Sequence, residues 1–373
     1  MVYKAIGLMS GSSLDGLDIA YVHLHETGGG WNYELLHTDC YAYPADWMEK
    51  LANATHLSAL DYQLLHTAYG HYTGELVNKF IHDHSLHHQV HLVASHGHTS
   101  FHVPTQRMTA QLGDGAAIAA ETGLPVVSDL RSLDIAFGGQ GAPIVPVGEK
   151  LLLPGYKLFL NLGGIANLSF NQPGQYTAFD VCPANRILNQ LLQGTGKAFD
   201  DEGKIASGGT VQPALLNELN QLAYYGLAFP KSLSNDFGTD TVFPLVKHYA
   251  LSVQDALRTY VEHIAQQVGM AAGKLLAAGI GETEAGPAPA ETQLLITGGG
   301  AFNRFMVERI GNQLMKHNIT PVVPDKQLVN YKEALVMALI GVLRWREEYN
   351  VYSSVTGAAR SSINGALWLG GEA

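Results

Sequence analysis

Cysteine is nearly absent. Cys40 and Cys182 are the two in 373 residues, too few for a disulfide framework, and the chain reads as one suited to a reducing compartment. Charge is scarce as well. Asp, Glu, Lys and Arg together make up 15 %, against about 25 % in ordinary soluble domains. With 46 % hydrophobic residues, an intrinsically disordered chain is excluded, because disorder needs low hydrophobicity and high charge. The balance is acidic, 22 Lys+Arg against 33 Asp+Glu for a formal charge of −11, and no Lys/Arg run offers a footprint for nucleic acid. Long apolar runs are missing too. The longest, Ala334 to Leu343, falls short of the roughly 20 residues that span a bilayer, and the first residues do not read as a secretory signal. The expectation is a soluble, cytoplasmic protein with no membrane or nucleic-acid partner.

Glycine, by contrast, is abundant, with 41 residues gathered in short clusters where backbone comes close to something else. At about 100–200 residues per domain, the length predicts two domains. The opening reads as strand (3–8), glycine turn (Met9 to Gly16) and strand (18–24). A helix is predicted over about 57–82, with Leu60, Leu64, Ala68, Leu76 and Phe80 as its apolar face. Short strands are expected at 90–94 and before Asp114, then a helix over 115–122 and a buried strand at 125–128. A long loop, 129–146, marks the domain change.

Beyond that loop, strands at 157–161, 165–170 and 176–179 repeat the opening pattern. Helices follow at about 185–192, 213–222 and 253–278. Residues 279–291 form a Gly/Pro/Ala/Glu-rich loop. A strand at 294–297 enters Gly298-Gly299-Gly300 and a further helix, and 331–346 is a strongly apolar helix. Alternating strands and helices predict an α/β protein with two similarly built halves, 1–130 plus 355–373 and 131–354.

Three glycine turns carry the chemistry. Ser10-Gly11-Ser12-Ser13 sets small residues and hydroxyls where backbone N–H groups converge on an anion. Asn161-Leu162-Gly163-Gly164-Ile165-Ala166-Asn167 has the same form, and Thr297 to Asn303 lies between strand and helix, where a nucleotide rests against backbone. Each alone is equally a ligand-free turn; three together point to phosphate binding. No G-x-x-x-x-G-K-[ST] and no G-x-G-x-x-G after the first strand occur, which sets aside P-loop and dinucleotide folds. Two phosphate hairpins and a late strand–GGG–helix are the arrangement of the actin-like sugar kinases, in which ATP lies in a cleft between two related, ribonuclease H-like domains.

Within that superfamily the chain resembles the bacterial anhydro-N-acetylmuramic acid kinases. The resemblance runs through Met9 to Asp18, Ser95-His96-Gly97-His98-Thr99, Leu112-Gly113-Asp114, Asp129-Leu130-Arg131, Asp134 to Pro143, Asn161 to Ser169, Pro230-Lys231-Ser232, Thr297 to Asn303 and Ser354 to Ala358. It implies an ATP- and Mg²⁺-dependent enzyme that opens the 1,6-anhydro ring of its sugar with water and phosphorylates O6, in cell-wall recycling. A dimer is implied as well.

The resemblance puts the catalytic base at Asp180, in Ala178 to Asn185; its plainer alternative is a helix cap. Here Cys182 and Ala184 stand where the family more often has glycine, and His98 where it has glutamine. After Lys231-Ser232 the chain reads Leu233-Ser234-Asn235-Asp236-Phe237 in place of an arginine-bearing run. The implied nucleotide contacts are Gly11, Ser12, Ser13, Leu14, Asp15, Gly16, Asn161, Gly163, Gly164, Asn167, Gly298, Gly299, Gly300 and Asn303. For the sugar they are His96, Thr99, Glu333 and Arg131, the last as a bidentate partner of a lactyl carboxylate. Asp134 and Gln140 are expected to organise their loop. Asp15 either holds Mg²⁺ through water or caps its own turn.

The histidine-rich stretch His82, His84, His87, His88 and His91 reads as a solvated helix end rather than a metal site. Cys182 reads as a buried, inert thiol. The competing readings are a kinase of another anhydrosugar such as levoglucosan, a non-catalytic nucleotide and sugar sensor, and a filament-forming protein.

Overall fold

The computed structural model describes residues 1–371 except 12, 173–174, 230, 234–235 and 280–291. The chain divides into two compact units, Met1–Pro154 with Tyr331–Ala373, and Gly155–Asn330. The boundaries fall later in the first half and earlier in the second than the expected 130/131 and 354/355. The reason is local. Loop 129–146 contains a short helix, Ser132–Ala136, whose buried Asp134 accepts from Thr356 Oγ1 at 2.7 Å and Gly141 N at 2.8 Å. Its backbone N–H donates to Asn364 Oδ1 at 2.9 Å, so the loop belongs with the C-terminal residues. Asp134 organises the loop, as expected.

In the first unit, β1 (Val2–Ser10), β2 (Gly16–Thr27) and β3 (Gly30–Ala42) form an antiparallel meander. β4 (Leu92–Val103) joins β1 in parallel, β5 (Met108–Leu112) pairs antiparallel with β4, and β6 (Val126–Ser128) runs parallel to β4. The strand Ala366–Trp368 closes the edge against β6. β4 runs straight through Ser95-His96-Gly97-His98-Thr99, which the sequence placed beyond its strand. The apolar helix, Lys326–Trp345, packs so closely on β1 that a Cβ on Gly7 would collide with the Ala334 carbonyl.

The helix Ala59–Asp83 buries Leu65, Tyr69, Gly70, Thr73, Gly74, Val77, Phe80 and Ile81. Leu60 and Leu64, expected on its inner face, are 69 % and 60 % exposed. The contact is made through glycines: a Cβ on Gly70 would lie 2.6 Å from the Asp114 carbonyl, and one on Gly74 2.5 Å from Glu121 Cβ.

The second unit repeats the plan. β7 (Leu158–Leu162), β8 (Ile165–Gln172) and β9 (Gln175–Pro183) form an antiparallel meander, and β10 (Thr292–Thr297) and β11 (Ile319–Val322) add in parallel beyond β7. The order β9-β8-β7-β10-β11 matches β3-β2-β1-β4-β6 strand for strand and sense for sense. Its core is built on Leu158, Leu160, Leu168, Phe179 and the helix residues Leu257, Val261 and Ile264. The expected loop 279–291 lies outside the described residues from 280 onward. Among the described residues no helix is long and apolar enough to cross a membrane.

Candidate active site

In the second unit, three segments meet at the ends of β7, β9 and β10. Gly298 has φ +81°, the left-handed region that glycine enters freely, and a Cβ there would sit 2.6 Å from Asn161 Oδ1. Gly300 is pressed against Leu162, where a Cβ would lie 2.7 Å from the Leu162 Cβ, while Gly299 faces open space. The Gly163-Gly164 turn is held by Asn185 N, donating to the Gly163 carbonyl at 3.1 Å, and Ala184 N, donating to Gly164 at 2.8 Å. Asn303 caps the helix Arg304–Leu314, its Oδ1 accepting from Met306 N at 2.9 Å. That carboxamide oxygen is committed to the fold rather than offered to a ligand. Thr297 Oγ1, at the mouth of the glycine turn, is buried with no hydrogen-bond partner among the described residues.

Asp180 lies inside β9, opposite Asn167 on β8 and next to a register shift. It is not a helix cap: the strand continues to Pro183, and Ala184 is the N-cap of the helix Asn185–Leu191. Both carboxylate oxygens are held. Asn167 Nδ2 donates to Oδ1 in a very short contact; Leu233 N donates to Oδ2 at 2.8 Å and Ser232 Oγ at 3.4 Å. Tyr224 Oη donates to the Asp180 carbonyl at 2.6 Å, and Asp180 N donates to the Lys231 carbonyl at 3.0 Å. Burial pushes the Asp180 carboxyl above the usual carboxylate range, against the lowering pull of Leu233 N–H, Asn167 and Ser232. Such a group is desolvated and a stronger base than a surface aspartate. Asn167, expected at the nucleotide, is instead a partner of Asp180. Cys182 is fully buried and burial raises its pKa, so the thiol is inert.

In the first unit, His96 Nδ1–H donates to the Gly97 carbonyl at 2.8 Å, which leaves Nε2 to accept from Arg131 Nε at 2.9 Å. Burial, reinforced by Arg131, drives the His96 pKa down to about 3, so it is neutral. Arg131 Nη1 also donates to the Gly141 carbonyl at 2.5 Å. With Nε engaged, the guanidinium can grip a carboxylate only through its end-on Nη edge. Burial lowers the Arg131 pKa to about 10, opposed by Glu333 and Asp134. Glu333 is pushed up by burial, against Lys332 and Arg131. The structure thus links His96, Arg131 and Glu333. Thr99 is exposed and accepts from Gln111 Nε2 at 3.5 Å. A cavity of about 320 Å³ is lined by His96, Gly97, Gln111, Asp114 and Ser128.

The first turn carries more than the sequence revealed. Ser13 Oγ donates to Asp15 Oδ1 at 2.6 Å and Leu14 adopts φ +58°; Ser12 lies outside the described residues. Ser10 Oγ is tied to His98 Nδ1 at 3.0 Å and accepts from Tyr43 Oη at 2.8 Å. Asp18, to which the sequence gave no role, has its pKa raised to about 6, first by burial and then by the charges of Asp15 and Glu333, while the Cys40 thiol donates to it. Asp15 and Glu333 thus lie within electrostatic reach of Asp18, but among the described residues the three do not bring their oxygens within 4.8 Å of one another.

Two units with one sheet plan, each opening on a strand–glycine-turn–strand, define a duplicated actin-like, ribonuclease H-like fold. The family model of anhydro-N-acetylmuramic acid kinases matches residues 3–370. Curated relatives of that name include one from Vibrio parahaemolyticus, 33 % identical over 97 % of each chain. Another, from Streptomyces coelicolor, is 33 % identical over 99 % of this chain and 94 % of its own. Among solved structures, a ROK-family glucokinase from Streptomyces griseus in complex with glucose and AMPPNP covers 92 % of this chain at 13 % identity, with a TM-score of 0.40. The chain belongs to the anhydro-N-acetylmuramic acid kinase family, a family of phosphotransferases.

Proposed function

We propose that this protein uses ATP to convert 1,6-anhydro-N-acetylmuramic acid into its 6-phosphate, opening the anhydro ring with water in the same reaction. The observation that carries this reading is the Asp180 carboxylate, held by Asn167 and Leu233 N–H on separate oxygens and strengthened as a base by burial. Asp180 takes a proton from water as its oxygen bonds to the anomeric carbon. The bond from that carbon to O6 breaks, its electron pair staying on O6, which bonds to the γ-phosphorus of ATP as the bond to the β–γ bridging oxygen breaks and ADP leaves. The proton taken from water is released from Asp180 after turnover, and the other hydrogen stays on the new anomeric hydroxyl.

The glycine turns at Gly163-Gly164 and Gly298–Gly300, with the unpartnered Thr297 hydroxyl, support nucleotide binding against backbone. The Ser10–Gly16 turn would supply further phosphate contacts. Asp15 would hold Mg²⁺ through water, and the ion would neutralise charge on the phosphates when bound. Arg131, set by His96, would take the lactyl carboxylate, with Thr99 and Glu333 near the sugar hydroxyls. Homodimer formation and cytoplasmic residence belong to the same reading; light scattering after size exclusion, and cell fractionation, test them.

The decisive experiment measures ADP release with Mg-ATP and either 1,6-anhydro-N-acetylmuramic acid or levoglucosan, with the product weighed. A product heavier by a phosphoryl group and a water, from the muramic sugar in preference, is the expected result. Turnover of levoglucosan alone, or nucleotide binding with no turnover of either sugar, overturns it. Asp180→Asn is expected to abolish turnover while ATP and sugar still bind.

A further inference from the structure

Among the described residues, a second histidine group, on the β2–β3 hairpin and outside the stretch 82–91, brings metal-ligating side chains together. His23 and His25 sit two residues apart on β2, hence on one face of the sheet, and Glu34 on β3 stands directly across from His23. Among the described residues, these three are the one group whose imidazole and carboxylate donor atoms all lie within 4.8 Å of one another. This face lies toward the outer end of the β2–β3 hairpin. Lys4, the partner of His23 on β1, is six residues from Ser10, a span of about 20 Å of strand, so the cluster is separate from the kinase site.

The hydrogen bonds around the cluster orient its lone pairs. Tyr21 Oη donates to the Gln89 carbonyl at 3.3 Å and lies 3.1 Å from His23 Nε2. A phenol has one hydrogen, so His23 Nε2–H donates to Tyr21, and Nδ1 presents its lone pair toward Glu34 Oε2, 3.9 Å away. His25 Nε2 is buried with no hydrogen-bond partner among the described residues, and Glu34 Oε1 lies 3.4 Å from it. Two nitrogens and a carboxylate therefore face one point. In a tetrahedral site with bonds of about 2.0–2.1 Å, neighbouring ligands are about 3.4 Å apart; the His25–Glu34 separation already has this value, and exposed Glu34 is free to swing toward His23.

We propose that His23, His25 and Glu34 bind one borderline divalent transition-metal ion, of the Zn²⁺ class, as a clip across the β2–β3 hairpin. Two imidazoles and a carboxylate favour such an ion over Mg²⁺, which takes oxygen ligands. The Tyr21 bond to His23 is the outer-shell support that fixes the ring of a ligating histidine. Lys4 stands across from His23 on β1. The same Lys4 opposes a cation and Glu34 offsets it. His91 Nδ1, also nearby, is committed to accepting from Lys4 N at 3.2 Å.

The test is Zn²⁺ titration of the full chain by calorimetry, with Co²⁺ as a spectroscopic probe. The expected result is one tight equivalent, a tetrahedral Co²⁺ spectrum, and no displacement by excess Mg²⁺. His25→Ala and Glu34→Gln should each weaken binding by about 10-fold or more, since even outer-shell losses cost 10–100-fold. The control His87→Ala/His88→Ala should bind as the parent does. Kinase rates should be unchanged in the His25 and Glu34 variants. Absence of a tight equivalent, binding unaltered in His25→Ala and Glu34→Gln, or loss confined to the His87/His88 control overturns the proposal.

Discussion

His96 grips Arg131 through its Nε2, 2.9 Å from the guanidinium Nε, while its own Nδ1–H is spent on the carbonyl of Gly97. A neutral imidazole thereby becomes a fixed acceptor that sets the plane of a buried cation. His96→Ala leaves Arg131 Nε unpaired. The expected outcome is a rise in KM for the carboxylate-bearing sugar of about 10- to 100-fold, matching the ~1.5–3 kcal/mol of a hydrogen bond to a charged group. The change in kcat should be smaller. Steady-state rates against sugar concentration check this, and a pure loss of kcat would contradict it.

Asn167 lowers the pKa of Asp180 by hydrogen bonding to its charged form. In Asn167→Ala that pKa climbs further above the ordinary value. The proposed base works when deprotonated, so the acid limb of kcat/KM should move to higher pH, by roughly 0.7 of a unit for a bond worth ~1 kcal/mol. Full pH–rate profiles of the parent and variant decide it. His96, neutral down to about pH 3, contributes no limb near pH 6.5.

Asp18 has a folded-state pKa of about 6, above the ~3.9 of an unfolded chain. The folded protein therefore holds more protons between these values. The stability tied to Asp18 is full below pH 4 and is lost as pH rises through 6. Without Mg²⁺, Asp18→Asn should be more stable than the parent at pH 7.5, by on the order of 1–2 kcal/mol, or ~2–4 °C for each kcal/mol. The gain should vanish at pH 4. Thermal melts at the two pH values read both arms.

Neither thiol is a reactive one. Cys40 is exposed, but burial of its sulfur and the Asp18 charge push its pKa up to about 12; Cys182 is buried. Native protein at pH 7.5 should resist alkylation and keep full activity, with both thiols appearing on denaturation.

Lys332 and Glu149 form an ion pair of 2.8 Å with both side chains 4 % exposed. Lys332→Met leaves Glu149 charged without its ion-pair partner and should cost about 3–5 kcal/mol, read as a shifted denaturant midpoint. A loss under 1 kcal/mol would show that the pair is dispensable.

The strand–turn–strand openings and the three glycine turns were legible because each is a local pattern. β3 was missed because its alternation of Trp31, Tyr33 and Leu35 breaks at the bulge at Leu36, beyond which His37 and Asp39 take the alternate places, and of its residues only Trp31 is buried. The phase of helix Ala59–Asp83 was misread for a related reason. Its inner face is partly glycine, and close backbone contact leaves no apolar signature, whereas Leu60 and Leu64 advertise a face that is exposed. Asp180 was named as the base from likeness alone, and its grip by Asn167 and Leu233 N–H joins residues brought together by the fold. Asp18 stood within a quoted motif; what makes it unusual is burial beside Cys40 and Glu333, residues distant in sequence.

Gly7 and Ala334 touch backbone to backbone although most of the chain separates them. On the ribosome, the first unit therefore waits. Residues 155–330 emerge as an uninterrupted stretch able to complete their own sheet, while β1 lacks its covering helix until residues 331–345 appear. At about 5–20 residues per second, that interval leaves an apolar strand uncovered during synthesis of the entire second unit. Holding back such a surface is a task for a chaperone, and a fragment ending at residue 154 inherits the same exposed face permanently.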